Sequence, residues 1–209
     1  MIWQDNNRKS YFLSRLLYHD AQITKKLVTL ILKYLPAKSF KTQCIFLETS
    51  CHGITWLSLW LAFTWLVDNE NLYEMQINML VGLLLDIVII AVLKAIFRRR
   101  RPVQNSNVFT IGPDKFSFPS GHTSRAFYVL IFFINLYPVS TILRALILAW
   151  AFSVALSRLL LQRHFLLDIF IGIIIGFLDS FILNVIWLEP HTALAIMKLI
   201  SNDFPCGDD

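Results

Sequence analysis

The stretch SRLLLQRHFLLDIFIGIIIGFLDSFILNVIW, residues 157–187, carries a dense polar cluster and then an apolar run. The apolar part, 165–187, has the roughly 20 residues that a spanning helix needs. Four more such runs lie upstream, near 44–67, 78–97, 120–138 and 141–161. Together they predict an all-α, polytopic transmembrane helical bundle of about five spans. The 120–138 run is short and opens at a polar motif. Its first turn is expected below the headgroups, inside a polar cavity, where backbone that does not face lipid is tolerated.

Composition agrees. The chain has 209 residues, is 56% apolar and has a mean hydropathy of +0.58. That is too apolar for a water-soluble surface, and the length suits one domain. The formal charge is +5 and the pI about 9.2. In a soluble protein this excess would raise nucleic acid as a partner. In a bilayer protein it points to anionic lipid and phosphate, and no nucleic-acid partner is expected.

The cysteines carry no framework. Cys44 and Cys51 share one predicted helix, about 10 Å apart at helical rise, too far for a disulfide. No Cys/His spacing suggests a metal site. The terminal Cys206-Gly-Asp-Asp lacks the aliphatic residues of a prenylation box. The opening MIWQDNNRKS has no apolar run that would serve as a cleaved signal peptide.

Three divisions follow. Residues 1–43 hold a basic excess, with Arg8, Lys9, Arg15, Lys25, Lys26, Lys33, Lys38 and Lys41. Within them Ile23, Leu27, Leu30, Ile31 and Tyr34 recur at helical spacing, which predicts an amphipathic helix lying on the membrane surface and ended by Pro36. Residues 44–190 form the transmembrane domain, and 191–209 a short C-terminal tail.

Three polar islands interrupt the apolar pattern: Lys94-AIFRRR-Arg101-Pro102, Pro119-Ser120-Gly121-His122, and Ser157-Arg158 with His164 and Asp168. The first closes the second span, the second opens the third, and the third sits at the turn before the fifth. All three land on one side of the membrane. That side also carries residues 1–43, whereas the opposite loop at 68–77 holds Asp68, Glu70 and Glu74. The positive-inside bias points the motif face to the cytosol and leaves the C-terminus across the membrane.

The residue types suit phosphate chemistry. His164 and Asp168, four apart, stack on one helix face. A carboxylate there fixes the imidazole tautomer and leaves the other ring nitrogen free to attack phosphorus. Taken alone, the same pair would equally cap a helix start. The Arg158 guanidinium suits two phosphoryl oxygens. Ser120 or Thr123 caps a helix whose first turn, with Gly121, offers backbone N–H groups to an anion. His122 stands where a leaving oxygen needs a proton. Lys94 lies about a turn inside an apolar run, where a lone charge costs several kcal/mol, so a functional role is expected for it. Arg98, Arg99 and Arg100 read as a juxtamembrane basic patch, and Arg163 as a snorkelling side chain. Glu48, His52, Asp86 and Asp179 also fall within spans and take no part in the expected chemistry. Asp86 reads either as the counter-charge of Lys94 or as an interhelical hydrogen-bond partner.

The set K-x6-RP, PSGH and SR-x5-H-x3-D resembles the three-part signature of the type 2 phosphatidic acid phosphatase (PAP2) superfamily. Lys94, Arg101, Pro102, Pro119, Ser120, Gly121, His122, Ser157, Arg158, His164 and Asp168 carry the match. KAIFRRRRP, DKFSFPSGHTSRA and WLEPH look most similar to its type 6 branch, the polyisoprenoid diphosphate phosphatases. The resemblance implies a helical-bundle lipid phosphatase of the endoplasmic reticulum and nuclear envelope, with no metal and no other cofactor. It implies His164 as nucleophile, Asp168 as its orienting partner and His122 as proton donor to the leaving group. Lys94, Arg101, Ser120, Gly121 and Arg158 would hold the phosphoryl oxygens. The implied partners are a lipid phosphate substrate and a bilayer with anionic lipids. Farnesyl, geranylgeranyl or presqualene diphosphate is the expected substrate. Phosphatidate, lysophosphatidate or sphingosine phosphate is the alternative within the enzyme class, and a catalytically silent membrane scaffold the alternative outside it. The superfamily core has six spans, one more than the sequence suggests.

Overall fold

The computed structural model describes residues 8–34, 37–103 and 115–203. Among the described residues the regular structure is helical throughout, apart from a single antiparallel bridge between Arg100 and Phe116. The helices are α1 (Arg8–Tyr34), α2 (Ala37–Ser50), α3 (Gly53–Leu66), α4 (Glu70–Phe97), α5 (Gly121–Ile131), α6 (Thr141–Leu160), α7 (Leu166–Val185) and α8 (Pro190–Asp203). A π-helical turn, Phe132–Leu136, prolongs α5.

α5 forms the axis. Ala126 to Leu130 are all buried there, with α7, α6 and α4 packed around them. The sequence of α7 permits this approach. A Cβ on Gly172 would stand 2.7 Å from the Ser120 carbonyl oxygen, and one on Gly176 would stand 2.5 Å from that of Ser124. Real Cβ atoms do not come so close to backbone, so the Gly-x3-Gly spacing lets two helices touch main chain to main chain.

Among the described residues three helices, α4, α6 and α7, are long and apolar enough to cross a membrane. The expected spans at 44–67 and 120–138 do not form single long helices. The first is broken at Cys51 and His52 into α2 and a 14-residue α3. His52 is extended (φ −70°, ψ 139°), and the Arg125 guanidinium, reaching from α5, donates to the Cys51 carbonyl at 3.1 Å. A buried donor thus satisfies a carbonyl that the interruption leaves without a helical partner. Hydropathy averages over such a break.

α1 forms over the expected amphipathic segment; Pro36 lies outside the described residues. Its inner face does more than lie on a surface. Thr24 and Val28 are buried where α1 packs on α6 and α7. The start of α7 explains the docking. Its first N–H groups have no acceptor within the helix. Leu166 N–H donates to Thr24 Oγ1 (3.1 Å) and Leu167 N–H to Asp20 Oδ1 (3.0 Å). Residues 191–203, read from sequence as part of a tail, belong to α8, which packs against α4. Asn78 of α4 fixes the turn before it, donating to the Leu188 carbonyl and accepting from the Leu188 N–H, both at 2.9 Å.

Candidate active site

Two tight helix ends and one paired segment assemble the site. α4 stops at Arg98, which takes a left-handed conformation (φ 47°) as its N–H donates to the Lys94 carbonyl at 3.1 Å. Arg98 Nε also donates to the Ala95 carbonyl at 2.8 Å, covering a second carbonyl of the last turn. Beyond this stop, Ser117 N–H donates to the Arg99 carbonyl (2.7 Å) and Ser117 Oγ to the Arg100 carbonyl (3.2 Å). The exit from α4 and the approach to α5 are therefore stitched together. α6 ends in the same manner, with Gln162 left-handed (φ 54°) and the Arg163 N–H on the Arg158 carbonyl at 3.1 Å. That reversal delivers His164 to the gap.

His164 is buried. Its Nδ1 lies 2.7 Å from the Ser117 carbonyl oxygen and 3.7 Å from Asp168 Oδ2. A carbonyl only accepts, so Nδ1 carries the proton and Nε2 presents its lone pair. The sequence reading had Asp168 in that role. The structure gives the hydrogen bond to a backbone oxygen and leaves the carboxylate as a nearby charge. The reason is that Asp168 is already engaged: Oδ2 accepts from Phe165 N–H (2.9 Å) and Oδ1 from Arg99 Nη1 (2.6 Å). Burial pushes the His164 imidazole below its ordinary range, Asp168 opposes that push, and Arg101 and Lys94 add to it.

The other site residues gather at the same end. Ser120 caps α5, its Oγ accepting from the Thr123 N–H (3.4 Å) and lying 2.9 Å from Thr123 Oγ1. Its own N–H donates to the Asp168 carbonyl at 3.1 Å. The Ser120 hydroxyl is thus engaged in the cap, while the N–H groups of Gly121 and His122 are left without acceptors within α5. Gly121 also has a packing role, since a Cβ there would meet Ile90 at 3.0 Å. His122 is partly buried, its Nε2 has no hydrogen-bond partner among the described residues, and its charged neighbours include Arg158 and His164. Lys94 is buried and Arg101 half-buried. Both lie close enough to act electrostatically on His164.

Arg158 is almost fully buried, at 1% exposure. Its Nη1 is 2.9 Å from Glu48 Oε1, and Nη2 donates to Ser157 Oγ (3.2 Å) and the Cys44 carbonyl (3.4 Å). Glu48, left out of the expected chemistry, therefore holds the guanidinium in place. Arg163 does not snorkel; its Nε lies 3.8 Å from the same Glu48 oxygen and its side chain is largely buried. Arg99 is likewise more than part of a surface patch. It bridges Asp168 to Asp20 of α1 (Nη2–Oδ2 2.7 Å), and its guanidinium carbon sits 4.0 Å over the centre of the Phe165 ring. Asp86 stands away from this end, paired with Arg125 Nη2 at 2.8 Å and accepting from Ser124 Oγ at 2.6 Å. Of the two readings of Asp86, the interhelical one holds.

Sequence reasoning missed Ser117, Glu48 and Arg99. The Ser117 carbonyl has no side-chain signature. Arg99 sits in a run of four arginines that only the turn at Arg98 tells apart.

Comparisons with known proteins converge on this end of the bundle. Residues 76–190, more than half of the chain, match the family model described as PAP2 superfamily. A "Probable lipid phosphate phosphatase beta" from Arabidopsis thaliana is 28% identical over 142 residues, 54% of this chain. The chain spans 65% of that relative's length. The crystal structure of Aquifex aeolicus LpxE superposes with a TM-score of 0.58 at 23% identity, covering 76% of this chain and 92% of the other. The last comparison bears on the fold alone. The matched region runs from α4 through α7 and encloses all three polar islands, and the chain belongs to the PAP2 superfamily.

Proposed function

We propose that this membrane protein is a lipid phosphatase working through a phosphohistidine, with polyisoprenoid diphosphates and monophosphates as substrates. The observation that carries the reading is the state of His164: Nδ1 is committed to a carbonyl oxygen, so Nε2 is the nucleophilic nitrogen. In the step it implies, the Nε2 lone pair forms a bond to the terminal phosphorus as the bond from phosphorus to the leaving oxygen breaks. The unpartnered Nε2 of His122 supplies the proton which that oxygen needs to leave as a lipid monophosphate or alcohol. Water then cleaves the phosphorus–nitrogen bond, giving up a proton to His122 and returning His164. Asp168 stabilises the positive charge on the phosphorylated imidazole.

Lys94, Arg101 and Arg158, with the Gly121 and His122 N–H groups, hold the three phosphoryl oxygens. This cationic shell is what the reading uses in place of a metal. Residues 44–190 are the catalytic unit, flanked by 1–43 and 191–209. The similarity of KAIFRRRRP, DKFSFPSGHTSRA and WLEPH to the type 6 branch supports the isoprenoid tail and residence in the endoplasmic reticulum and nuclear envelope, and the basic excess of residues 1–43 supports a cytosolic site.

The test is phosphate release by purified protein in detergent, from farnesyl diphosphate and from phosphatidate, with EDTA present and His164→Ala alongside. Release from farnesyl diphosphate that survives EDTA and vanishes in the variant is the expected result. A preference for phosphatidate would keep the chemistry and overturn the tail. No release from either by folded protein would leave the scaffold reading.

A further inference from the structure

We propose that α1 is a working part of this site, with Asp20 a positioning residue that offsets the charge of Arg99 and so keeps a net negative charge on Asp168 facing His164. The inference rests on the phosphohistidine reading and extends it to a helix outside the family-matched region, since α1 ends at Tyr34 and the match begins at residue 76.

The geometry is a three-member chain. Arg99 is nearly enclosed, with 11% side-chain exposure, and donates 2.6 Å to Asp168 Oδ1 and 2.7 Å to Asp20 Oδ2. Asp20 is enclosed too, at 9%, and its other oxygen accepts from Leu167 N–H at 3.0 Å. One carboxylate thus holds both Arg99 and the first turn of the helix that carries Asp168. The charge count is what matters. With Asp20 ionised, Asp20, Arg99 and Asp168 sum to −1, matching the +1 of an imidazole that is protonated or phosphorylated. Without Asp20, Arg99 and Asp168 cancel, and His164 faces a neutral pair.

The remaining charges do not supply the deficit. Those acting on the His164 ring include Lys94 and Arg101 from the end of α4, and His122 from the start of α5, itself beside Arg158 and His52. Arg158 and Arg163 have Glu48 of α2 between them. Arg15 and His19 neighbour Asp20 on α1 and add no negative charge. Among the described residues Asp168 is the anion nearest His164, and a positive Arg99 lies directly on it.

Opposite shifts in the acid limb of kcat test this, because that limb reports the ionisation of His164 in the bound complex. Asp20→Asn keeps an acceptor for Leu167 while removing the charge and the oxygen that accepts from Arg99. It should move the limb to lower pH by about half a unit or more and reduce kcat about three- to tenfold, with KM within about twofold. Arg99→Gln should move the limb up. The double variant should return it close to wild type, because Asp168 alone again supplies −1. Thr24→Val removes the neighbouring cap on Leu166 without changing charge and should leave the limb in place. The substrate's own ionisation is common to all variants and drops out.

An unmoved limb in Asp20→Asn, or a Thr24→Val limb shifted equally, would overturn the inference while leaving the phosphatase reading intact. If Asp20→Asn does not accumulate, Arg99→Gln carries the test, and a limb that stays or falls overturns it. Wild-type release that persists in His164→Ala would overturn the phosphohistidine reading, and this inference with it.

Discussion

Two groups of buried charge lie in this bundle, and they are built differently. At the proposed catalytic end, His164 is held by a backbone carbonyl and Arg158 by Glu48, with His122, Lys94 and Arg101 nearby, and the Nε2 of His122 has no hydrogen-bond partner among the described residues. In mid-bundle, Arg125 pairs with Asp86 at 2.8 Å and donates to the Cys51 carbonyl, while Ser124 donates to Asp86 and, at 3.4 Å, to Asp179. Among the described residues, the Asp86 Oδ2 that ion-pairs with Arg125, Asp179 Oδ1 and Arg125 Nε have no hydrogen-bond partner there. The second group spends its valences on the fold, tying α4, α5 and α7 to the break before α3. The first gathers two imidazoles and several cations at one end. Burial, charge and some unspent hydrogen-bonding capacity are common to both; imidazoles and cations gathered at one shared helix end, rather than acid paired with base inside the bundle, separate a site from a strut.

The largest expected contrast is in activity. His164→Ala should reduce phosphate release by about a thousandfold or more, since the proposed nucleophile has no substitute. Thermal stability in detergent should change little, because the ring's hydrogen bond is to one carbonyl. If His164→Ala unfolds the protein, the catalytic end is also a strut and the contrast fails.

Arg125→Met should do the reverse. It leaves Asp86 buried without its cation, a loss of about 3–5 kcal/mol for a broken buried pair. The readout is the detergent melting temperature, with kcat per folded molecule staying within a few fold. Adding Asp86→Leu should recover much of the stability, because removing both charges is far cheaper than stranding one. Collapse of kcat in a folded Arg125→Met protein would show that the network acts on the chemistry.

A smaller effect is expected where the two regions meet. Gly172 lies against the Ser120 carbonyl at the start of α5, and Gly176 against the Ser124 carbonyl beside the mid-bundle network. Gly172→Val should destabilise by about 1–3 kcal/mol through overpacking and also lower kcat, because Ser120 N–H is tied to the Asp168 carbonyl. Gly176→Val should give a similar loss of stability with kcat retained. Equal losses of kcat would mean that α5 moves as one rigid body.

These contrasts also mark what was legible in the sequence. Side chains whose identity is their chemistry, such as His164, His122, Asp168 and Arg158, could be read from spacing, because a three-part pattern restricts which positions meet. The Gly172–Gly176 spacing was equally readable as a close-packing signal, yet a hydropathy reading passes over it. The Ser117 carbonyl was not readable, since any residue there offers the same oxygen. Nor was the break at Cys51 and His52, which depends on Arg125 some seventy residues downstream. Arg99 emerged only when a left-handed turn at Arg98 fixed which arginine of the run faces inward. The amphipathic pattern of α1 fixed its helix; its partner depended on donors at the start of α7.

The finest test of the contrast is pH. In the proposed mechanism His164 attacks as the neutral imidazole, and burial holds its pKa below the ordinary value near 6.5. A depressed pKa keeps the ring neutral to lower pH, so the acid limb assigned to His164 should lie below about 6.5, with activity lost as pH falls through it. Asp168 works against the depression. Asp168→Asn removes a negative charge 3.7 Å from the ring, so the limb should move to still lower pH. The plateau rate should fall at the same time, about tenfold or more, because the phosphorylated imidazole loses the charge that stabilises it. A lower plateau with a lower limb is the signature of a carboxylate that acts electrostatically. A limb that stayed in place while the rate fell would instead make Asp168 a purely positional residue, holding Phe165 and Arg99 as Asp86 holds Arg125. The catalytic end would then owe its chemistry to the Ser117 carbonyl and the cationic shell alone.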